Sequence, residues 1–294
     1  MYSLTNILEM EIKIAKHAGF CFGVRRAVNI AEEEAAKRNG KLIYTDGPII
    51  HNPQEVERLK KKGIIPGRWD DFKEGSTVII RSHGIPPDRE EKLKEKGLRI
   101  IDATCPYVKA VHEAVVKLVR EGYFVAIVGE KNHPEVIGAY GYLKHANGRG
   151  LVIESFKDIE EVKKHEKVGV VSQTTQHEEF FKNVVGELAL WVKELKVINT
   201  ICNATSERQE GVYELAPQVD VMIIVGGKNS GNTRRLYNIA KSLNERSYHV
   251  ETAEEIDPLW FDKVKKVGIT AGASTPDWII ESVIKRIKSI SKNF

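Results

Sequence analysis

The sequence predicts an α/β protein of three similar units, each with a small, mostly parallel sheet, arranged pseudo-threefold around a central cavity. Three observations predict this. Short β-rich runs alternate with longer helical patterns along the whole chain, the pattern of parallel strands joined by helices. The same order of elements is passed through three times in 294 residues. Each pass also carries one cysteine just after its first strand, at Cys21, Cys105 and Cys202. The units are read as residues 10–97, 98–194 and 195–294.

In the first unit a strand over Glu11–Ala15 leads through Gly19-Phe20-Cys21-Phe22-Gly23 into a helix from Val24 to Arg38. A strand over Lys41–Thr45 runs into Asp46-Gly47-Pro48-Ile49-Ile50-His51-Asn52-Pro53, then a helix over Gln54–Lys62 and a short apolar piece at Ile64–Ile65. Strand Thr77–Ile80 opens into Arg81-Ser82-His83-Gly84 and a helix ending near Lys96. The second unit repeats the order. Arg99–Ile101 leads to Asp102-Ala103-Thr104-Cys105-Pro106 and a long helix, and Phe124–Val128 leads to Gly129-Glu130-Lys131-Asn132-His133-Pro134-Glu135. Leu151–Ile153 is its short piece, and Val168–Val171 precedes Ser172-Gln173-Thr174-Thr175-Gln176 and a helix through Lys193. In the third unit Lys196–Ile201 ends at Cys202, and Val221–Val225 leads into Gly226–Thr233 and a helix from Arg234. Tyr248–Glu251 is the short piece, and Val267–Thr270 precedes Ala271-Gly272-Ala273-Ser274-Thr275-Pro276 and the final helix.

With 41 % hydrophobic and 29 % charged residues, the composition is that of a soluble globular protein and excludes a disordered chain. No apolar run reaches the roughly 18–20 residues that a membrane helix needs, and runs such as Val219–Val225 are strand-sized and carry Asp220. Lys and Arg number 45 against 41 Asp and Glu, a surplus of +4 spread over both signs, so no nucleic-acid footprint is expected. The dense Lys and Glu content suits a surface of ion-pair networks. Residues 1–9 have neither a basic start nor a long apolar core, and are read as a leader without structural importance ahead of Met10.

Three cysteines, 84 and 97 residues apart, form neither a disulfide framework nor a closely spaced zinc motif, and they point to a reducing, cytoplasmic setting. In parallel α/β sheets ligands bind beyond the carboxyl ends of the strands, where loops meet helix N-termini. Three units around one axis would bring the cysteines and six polar loops to one cavity. Three readings of the thiols stand. They are buried small hydrophobes, or a zinc site of three cysteines and a histidine, or ligands of an iron–sulfur cluster, the favoured one. With three thiolates, one iron of a cubane would lack a protein sulfur and could act as a Lewis acid towards a hydroxyl.

The polar loops carry His51, His83, His133, Thr174, Ser230, Asn232 and Ser274, side chains that suit a phosphate, several of them just ahead of helices. Glu135 adds an acid among them, either carrying a proton or simply complementing a helix dipole. Gly226 and Gly231 fit the spacing of a P-loop, but Asn232 stands where its lysine belongs, so nucleotide hydrolysis is not expected. No dinucleotide fingerprint follows any strand. Gly19, Gly84, Gly129 and Gly272 flank the loops and suit either turns or closure.

The stretches AGFCFGVRRAV, GPIIHN, RSHG, DATCP, HPEV, SQTTQ, TICNATSERQ, GGKNSGNTRRL and TAGASTPDW resemble the 4-hydroxy-3-methylbut-2-enyl diphosphate reductases, in order, over about residues 12–280. The resemblance implies an iron–sulfur oxidoreductase of non-mevalonate isoprene biosynthesis, acting on an allylic diphosphate alcohol. It implies loss of water with two electrons and two protons, giving isopentenyl and dimethylallyl diphosphates. Carried over, Cys21, Cys105 and Cys202 hold a 4Fe–4S cluster whose unique iron takes the substrate hydroxyl. Glu135 supplies or relays the proton, with His133 and Thr174 beside it. His51, His83, Ser230, Asn232 and Ser274 hold the diphosphate, and Gly231, where many members carry serine, offers a backbone N–H. A ferredoxin or flavodoxin is the implied electron donor. Ala139 also departs from the family, where threonine is frequent.

Overall fold

The computed structural model describes residues 10–37 and 42–292; the leader reading of residues 1–9 and the expected helix end at Arg38 lie outside them. Runs such as Phe-Val-Ala-Ile-Val and Val-Met-Ile-Ile-Val are apolar on both faces. Such a strand is stable only when helices cover both sides of its sheet, which favours parallel pairing through helical crossovers.

In chain order the elements are β1 (Glu11–Ile14), α1 (Phe22–Lys37), β2 (Ile43–Asp46), α2 (Pro53–Lys61), β3 (Ile64–Gly67), β4 (Thr77–Ile80), α3 (Pro87–Glu95) and β5 (Arg99–Asp102). There follow α4 (Pro106–Arg120), β6 (Phe124–Val128), α5 (Pro134–His145), β7 (Gly150–Ile153), α6 (Ile159–Val162), β8 (Lys167–Ser172), α7 (Glu178–Ala189) and β9 (Glu194–Val197). The last are α8 (Asn203–Leu215), β10 (Val221–Val225), α9 (Gly231–Leu243), β11 (Ser247–Val250), β12 (Lys266–Ala271) and α10 (Asp277–Ser291).

The strands form three four-stranded sheets of identical order, β3-β2-β4-β5, β7-β6-β8-β9 and β11-β10-β12-β1, all parallel. The expected three α/β sheets are therefore present. Their membership is offset by one strand from the units 10–97, 98–194 and 195–294. β1 pairs with β12, β5 with β4 and β9 with β8, so each cysteine follows the last strand of a sheet rather than the first. The reason is that periodicity marks a strand without naming the neighbour that takes its N–H and C=O groups. The β1 ladder, Glu11 with Lys266 to Ile14 with Ile269, joins segments more than 250 residues apart.

The described residues form two compact units, 10–22 with 51–55 and 203–292, and 23–37 and 42–50 with 56–202. The first holds one sheet. Its core is Val221, Ile223, Val225, Val267 and Ile269 under Ile279, Val283 and Ile287 of α10, with Leu236, Ile239 and Ala240 of α9 on the opposite face. The second holds the other two sheets. Val125, Ile127 and Val171 are covered by Val111, Val115 and Leu118 of α4 and by Val136 and Leu143 of α5, while Ala126, Val128 and Val170 meet Phe181, Val184 and Leu188 of α7.

β9 is shorter than the expected Lys196–Ile201 strand. Beyond Ile198 the ladder is replaced by a side chain: the Thr200 hydroxyl donates to the Ser172 carbonyl (2.6 Å) and accepts the Ser172 N–H (2.8 Å). Ion-pair networks are present on the surface, as where Glu32 meets both Arg58 (2.8 Å) and Lys62 (2.6 Å). Among the described residues no helix is long and apolar enough to cross a membrane.

Candidate active site

In a sheet of this order the crevice for a ligand opens between the two central strands, here β2 and β4, β6 and β8, and β10 and β12, at their carboxyl ends. The loops after β2, β6 and β10 and after β4, β8 and β12 flank these crevices, and they carry the polar residues singled out from the sequence. The cysteines are tied to the same loops. The Cys105 N–H donates to the Ser82 carbonyl (2.9 Å), that of Cys202 to Thr174 (2.7 Å) and that of Cys21 to Ala273 (3.0 Å). In all three sheets the residue past the last strand is thus fixed by the loop past the third. One hydrogen bond recurs at three places that share little sequence.

In the second unit Cys105 is the N-cap of α4, with Pro106 in the first turn, where a missing N–H costs nothing. The Asp102 carboxylate accepts the Thr104 N–H (2.8 Å), and Arg26 donates to the Thr104 carbonyl (3.1 Å), so the approach to Cys105 is held from two sides. A Cβ at Gly23 would lie 2.5 Å from the Cys105 Sγ and 3.0 Å from its Cβ. The backbone of α1 therefore closes on this sulfur, and only glycine permits it.

Glu135 lies in the first turn of α5 and is only 2 % exposed. Its two carboxyl oxygens face Thr174, whose N–H donates to Oε1 (2.6 Å) and whose hydroxyl donates to Oε2 (2.8 Å). Its own N–H donates to Nδ1 of His133, the N-cap of α5 (3.2 Å). With Nδ1 accepting, the ring proton of His133 sits on Nε2. The ring of His83 meets that of His133 edge-on, with centroids 5.6 Å apart. Gln173 braces the loop from behind, its amide oxygen accepting the Glu130 N–H (3.0 Å).

Burial pushes the Glu135 carboxyl up to about 7, against the two hydrogen bonds from Thr174 that favour its charged form. Folding thus raises this pKa above its ordinary value of 4.5. Its contribution to stability is fully present below that value and is lost as pH rises through about 7. Urea midpoints are expected to fall across this window, and to fall less in Glu135→Gln.

In the first unit Ser230 caps α9 by accepting the Thr233 N–H (3.3 Å), and Gly231 is the exposed first helical residue, with open space around it. Both polar atoms of the Asn232 side chain are buried with no hydrogen-bond partner among the described residues. Buried polar groups are rarely left so, and a helix N-terminus with an unpartnered amide suits an anionic ligand. Ser274 donates to the His51 carbonyl (3.1 Å), joining the loops after β12 and β2, and the His51 side chain is exposed.

The site residues thus fall into two sets. Cys105, Cys202, His83, His133, Glu135 and Thr174 lie in one unit, and Cys21, His51, Ser230, Gly231, Asn232 and Ser274 in the other. Gly23, Arg26 and Gln173 were not singled out from the sequence. All three lie in stretches that the sequence marks, Gly23 and Arg26 in AGFCFGVRRAV and Gln173 in SQTTQ.

The model of the LytB protein family matches residues 12–288. The chain belongs to the LytB family. The 4-hydroxy-3-methylbut-2-enyl diphosphate reductase of Aquifex aeolicus (strain VF5) is 70 % identical over 281 residues, 96 % of this chain and 97 % of the relative. The enzyme of that name from Citrifermentans bemidjiense is 48 % identical over 285 residues, 97 % of this chain and 99 % of the relative. A solved structure of (E)-4-hydroxy-3-methyl-but-2-enyl diphosphate reductase, described as the terminal enzyme of the non-mevalonate pathway, aligns with a TM-score of 0.81 at 69 % identity. That alignment covers 95 % of this chain and 99 % of the other. The Plasmodium falciparum E-1-hydroxy-2-methyl-but-2-enyl-4-diphosphate reductase aligns with a TM-score of 0.82 at 30 % identity, over 94 % of this chain and 87 % of the other. This LytB chain is an oxidoreductase, as its motifs led one to expect.

Proposed function

We propose that this chain reductively dehydroxylates 4-hydroxy-3-methylbut-2-enyl diphosphate, with two electrons and two protons, releasing water and giving isopentenyl and dimethylallyl diphosphates. The observation that carries this reading is the buried Glu135–Thr174 pair. A carboxyl with a pKa of about 7 holds a proton at neutral pH and can give it up, which is what loss of a hydroxyl as water requires.

Cys21, Cys105 and Cys202 are the ligands in this reading. Three thiolates are a donor set that an iron–sulfur cluster takes, and this reading is supported at Cys105 by the Gly23 backbone, which leaves no room for a side chain beside the sulfur. When bound, such a cluster supplies electrons and, at an iron without a protein sulfur, Lewis acidity towards a hydroxyl.

The chain's own residues then divide the remaining work. The proton resides on Glu135. When it sits on Oε2, the Thr174 hydroxyl turns from donor to acceptor, and its own O–H becomes available to the substrate. His133, with its proton on Nε2, orients the hydroxyl. His51, His83, Ser230, Asn232, Ser274 and the Gly231 N–H hold the diphosphate, the last at the positive end of α9. The external donor is a ferredoxin or flavodoxin, and the setting is the cytoplasm, where thiols stay reduced.

The test is an anaerobic assay with a chemically reduced donor and the allylic diphosphate, read as five-carbon diphosphate products, alongside metal analysis. About four irons per chain and both products are expected. An iron-loaded protein that leaves the alcohol untouched, or one that carries stoichiometric zinc and no iron, overturns the reading.

A further inference from the structure

His112 belongs to no motif that pointed to function, yet three functional elements meet on its ring. It lies on α4, two turns beyond Cys105, and is 4 % exposed. One face stacks on Tyr142 of α5, with centroids 4.1 Å apart and planes 17° from parallel. Its edge enters a cradle made by two glycines. A Cβ at Gly84, which follows His83 and has φ +70°, would lie 2.9 Å from the His112 Cε1. A Cβ at Gly138, one turn beyond Glu135, would lie 3.2 Å from its Nε2 and 3.8 Å from the His83 carbonyl oxygen. A glycine inside a helix weakens it, so Gly138 is explained by this close approach. A methyl group at Gly84 would not fit against the ring, and one at Gly138 would press on Nε2 by a few tenths of an ångström while meeting the His83 carbonyl at ordinary contact distance.

Space filling alone does not explain an imidazole here. Nε2 is buried and has no hydrogen-bond partner among the described residues, a defect that phenylalanine would not have. Burial also lowers the ring to about 4, so it stays neutral at neutral pH and carries a single N–H. The polar groups of the cleft beside it are Glu90, Asp102, Lys109, Glu113, Lys117 and Tyr142, among others; Lys109 is paired with Asp102 at 2.5 Å. Nε2 and the His83 carbonyl both border the position that a Gly138 side chain would take.

We propose that His112 is a positioning residue: its Nε2–H is the donor that holds the His83 backbone carbonyl when His83 engages the diphosphate, setting the height of the His83 loop above the Glu135 helix. The proposal rests on the function given above, through the roles of His83 and Glu135. His112 touches neither substrate nor reacting atoms.

The test compares His112→Phe, which keeps the ring without the donor, with His112→Gln, which keeps a side-chain N–H at similar reach. Four readouts are taken: steady-state kinetics with the allylic diphosphate, iron content, melting temperature, and hydrogen exchange of the Arg81–Ile85 amides. In the Phe variant iron content and melting temperature stay at wild-type levels. KM rises by about 10-fold or more as the His83 contact is misplaced, and exchange at Arg81–Ile85 rises. The Gln variant recovers most of the lost affinity and protection. A Phe variant with unchanged KM and unchanged loop exchange overturns the proposal. So does a Gln variant that is impaired as much as Phe, since the ring alone would then matter. Wild-type protein inert towards the allylic diphosphate would sink the functional reading instead, and the exchange comparison would still decide the role of His112.

Discussion

Glu135→Gln is expected to bind the cluster and the substrate as the wild type does, and to lose about 10²- to 10⁴-fold in kcat. The amide matches the carboxyl in shape and can still accept the Thr174 N–H at the Oε1 position, where the present distance is 2.6 Å. It has no proton to give at any working pH. The loss therefore falls on kcat, with KM little changed, the signature of a group needed in the transition state and not for ground-state binding. The wild type adds a second readout. Because the carboxyl titrates at about 7, turnover falls as pH rises beyond that value, while the residual activity of the variant is flat there. A variant with near-normal kcat would return Glu135 to the simpler role of a negative charge in the first turn of a helix.

With Cys105 a ligand of the proposed cluster, Gly23→Ala is expected to bind much less iron than the wild type without unfolding. The added methyl would lie 2.5 Å from the Cys105 sulfur, far inside contact distance, and 3.0 Å from its Cβ. Gly23 is the second residue of α1, and alanine there is compatible with the helix. Strain is therefore relieved at the thiol, which must rotate or shift, and ligation fails first. The measurement is iron and sulfide content after anaerobic reconstitution, with circular dichroism and the melting temperature as controls. Cys105→Ser, which removes the sulfur and adds no bulk, serves as the comparison and is expected to bind as little iron. Wild-type iron content in Gly23→Ala would show that the Cys105 sulfur is not constrained by α1, and would withdraw the support that this contact lends to the cluster.

Much of the fold was legible because each strand and helix carries its signal within its own segment. Val221–Val225 and Phe124–Val128 are apolar and β-branched enough to read as buried strands, and the loops after them are marked by glycine, proline and polar residues. The polar candidates could be placed at strand ends from sequence because the carboxyl end of a parallel strand is where a ligand crevice opens. Pairing was not legible. β1, β5 and β9 look like first strands of units because they precede the cysteines, yet they complete the sheets of β12, β4 and β8. Hydrogen bonding between strands depends on which segments meet, and a run of four residues carries no record of that.

Glu135 shows the same division most sharply. The sequence by itself determined that an acid follows His-Pro at the start of a helix, that three cysteines recur at matching points, and that each repeat carries two polar, phosphate-suited loops. It left Glu135 open between a dipole partner and a proton carrier, because both need the same residue at the same helix position. Only the tertiary structure decided that the carboxyl is buried against Thr174 and that its pKa rises to about 7, that Gly23 presses on Cys105, and that His112 lies between two glycines. Chemical identity and periodicity are local properties and can be read along the chain. Desolvation and close approach arise from atoms distant in sequence, so they exist only once the chain has folded.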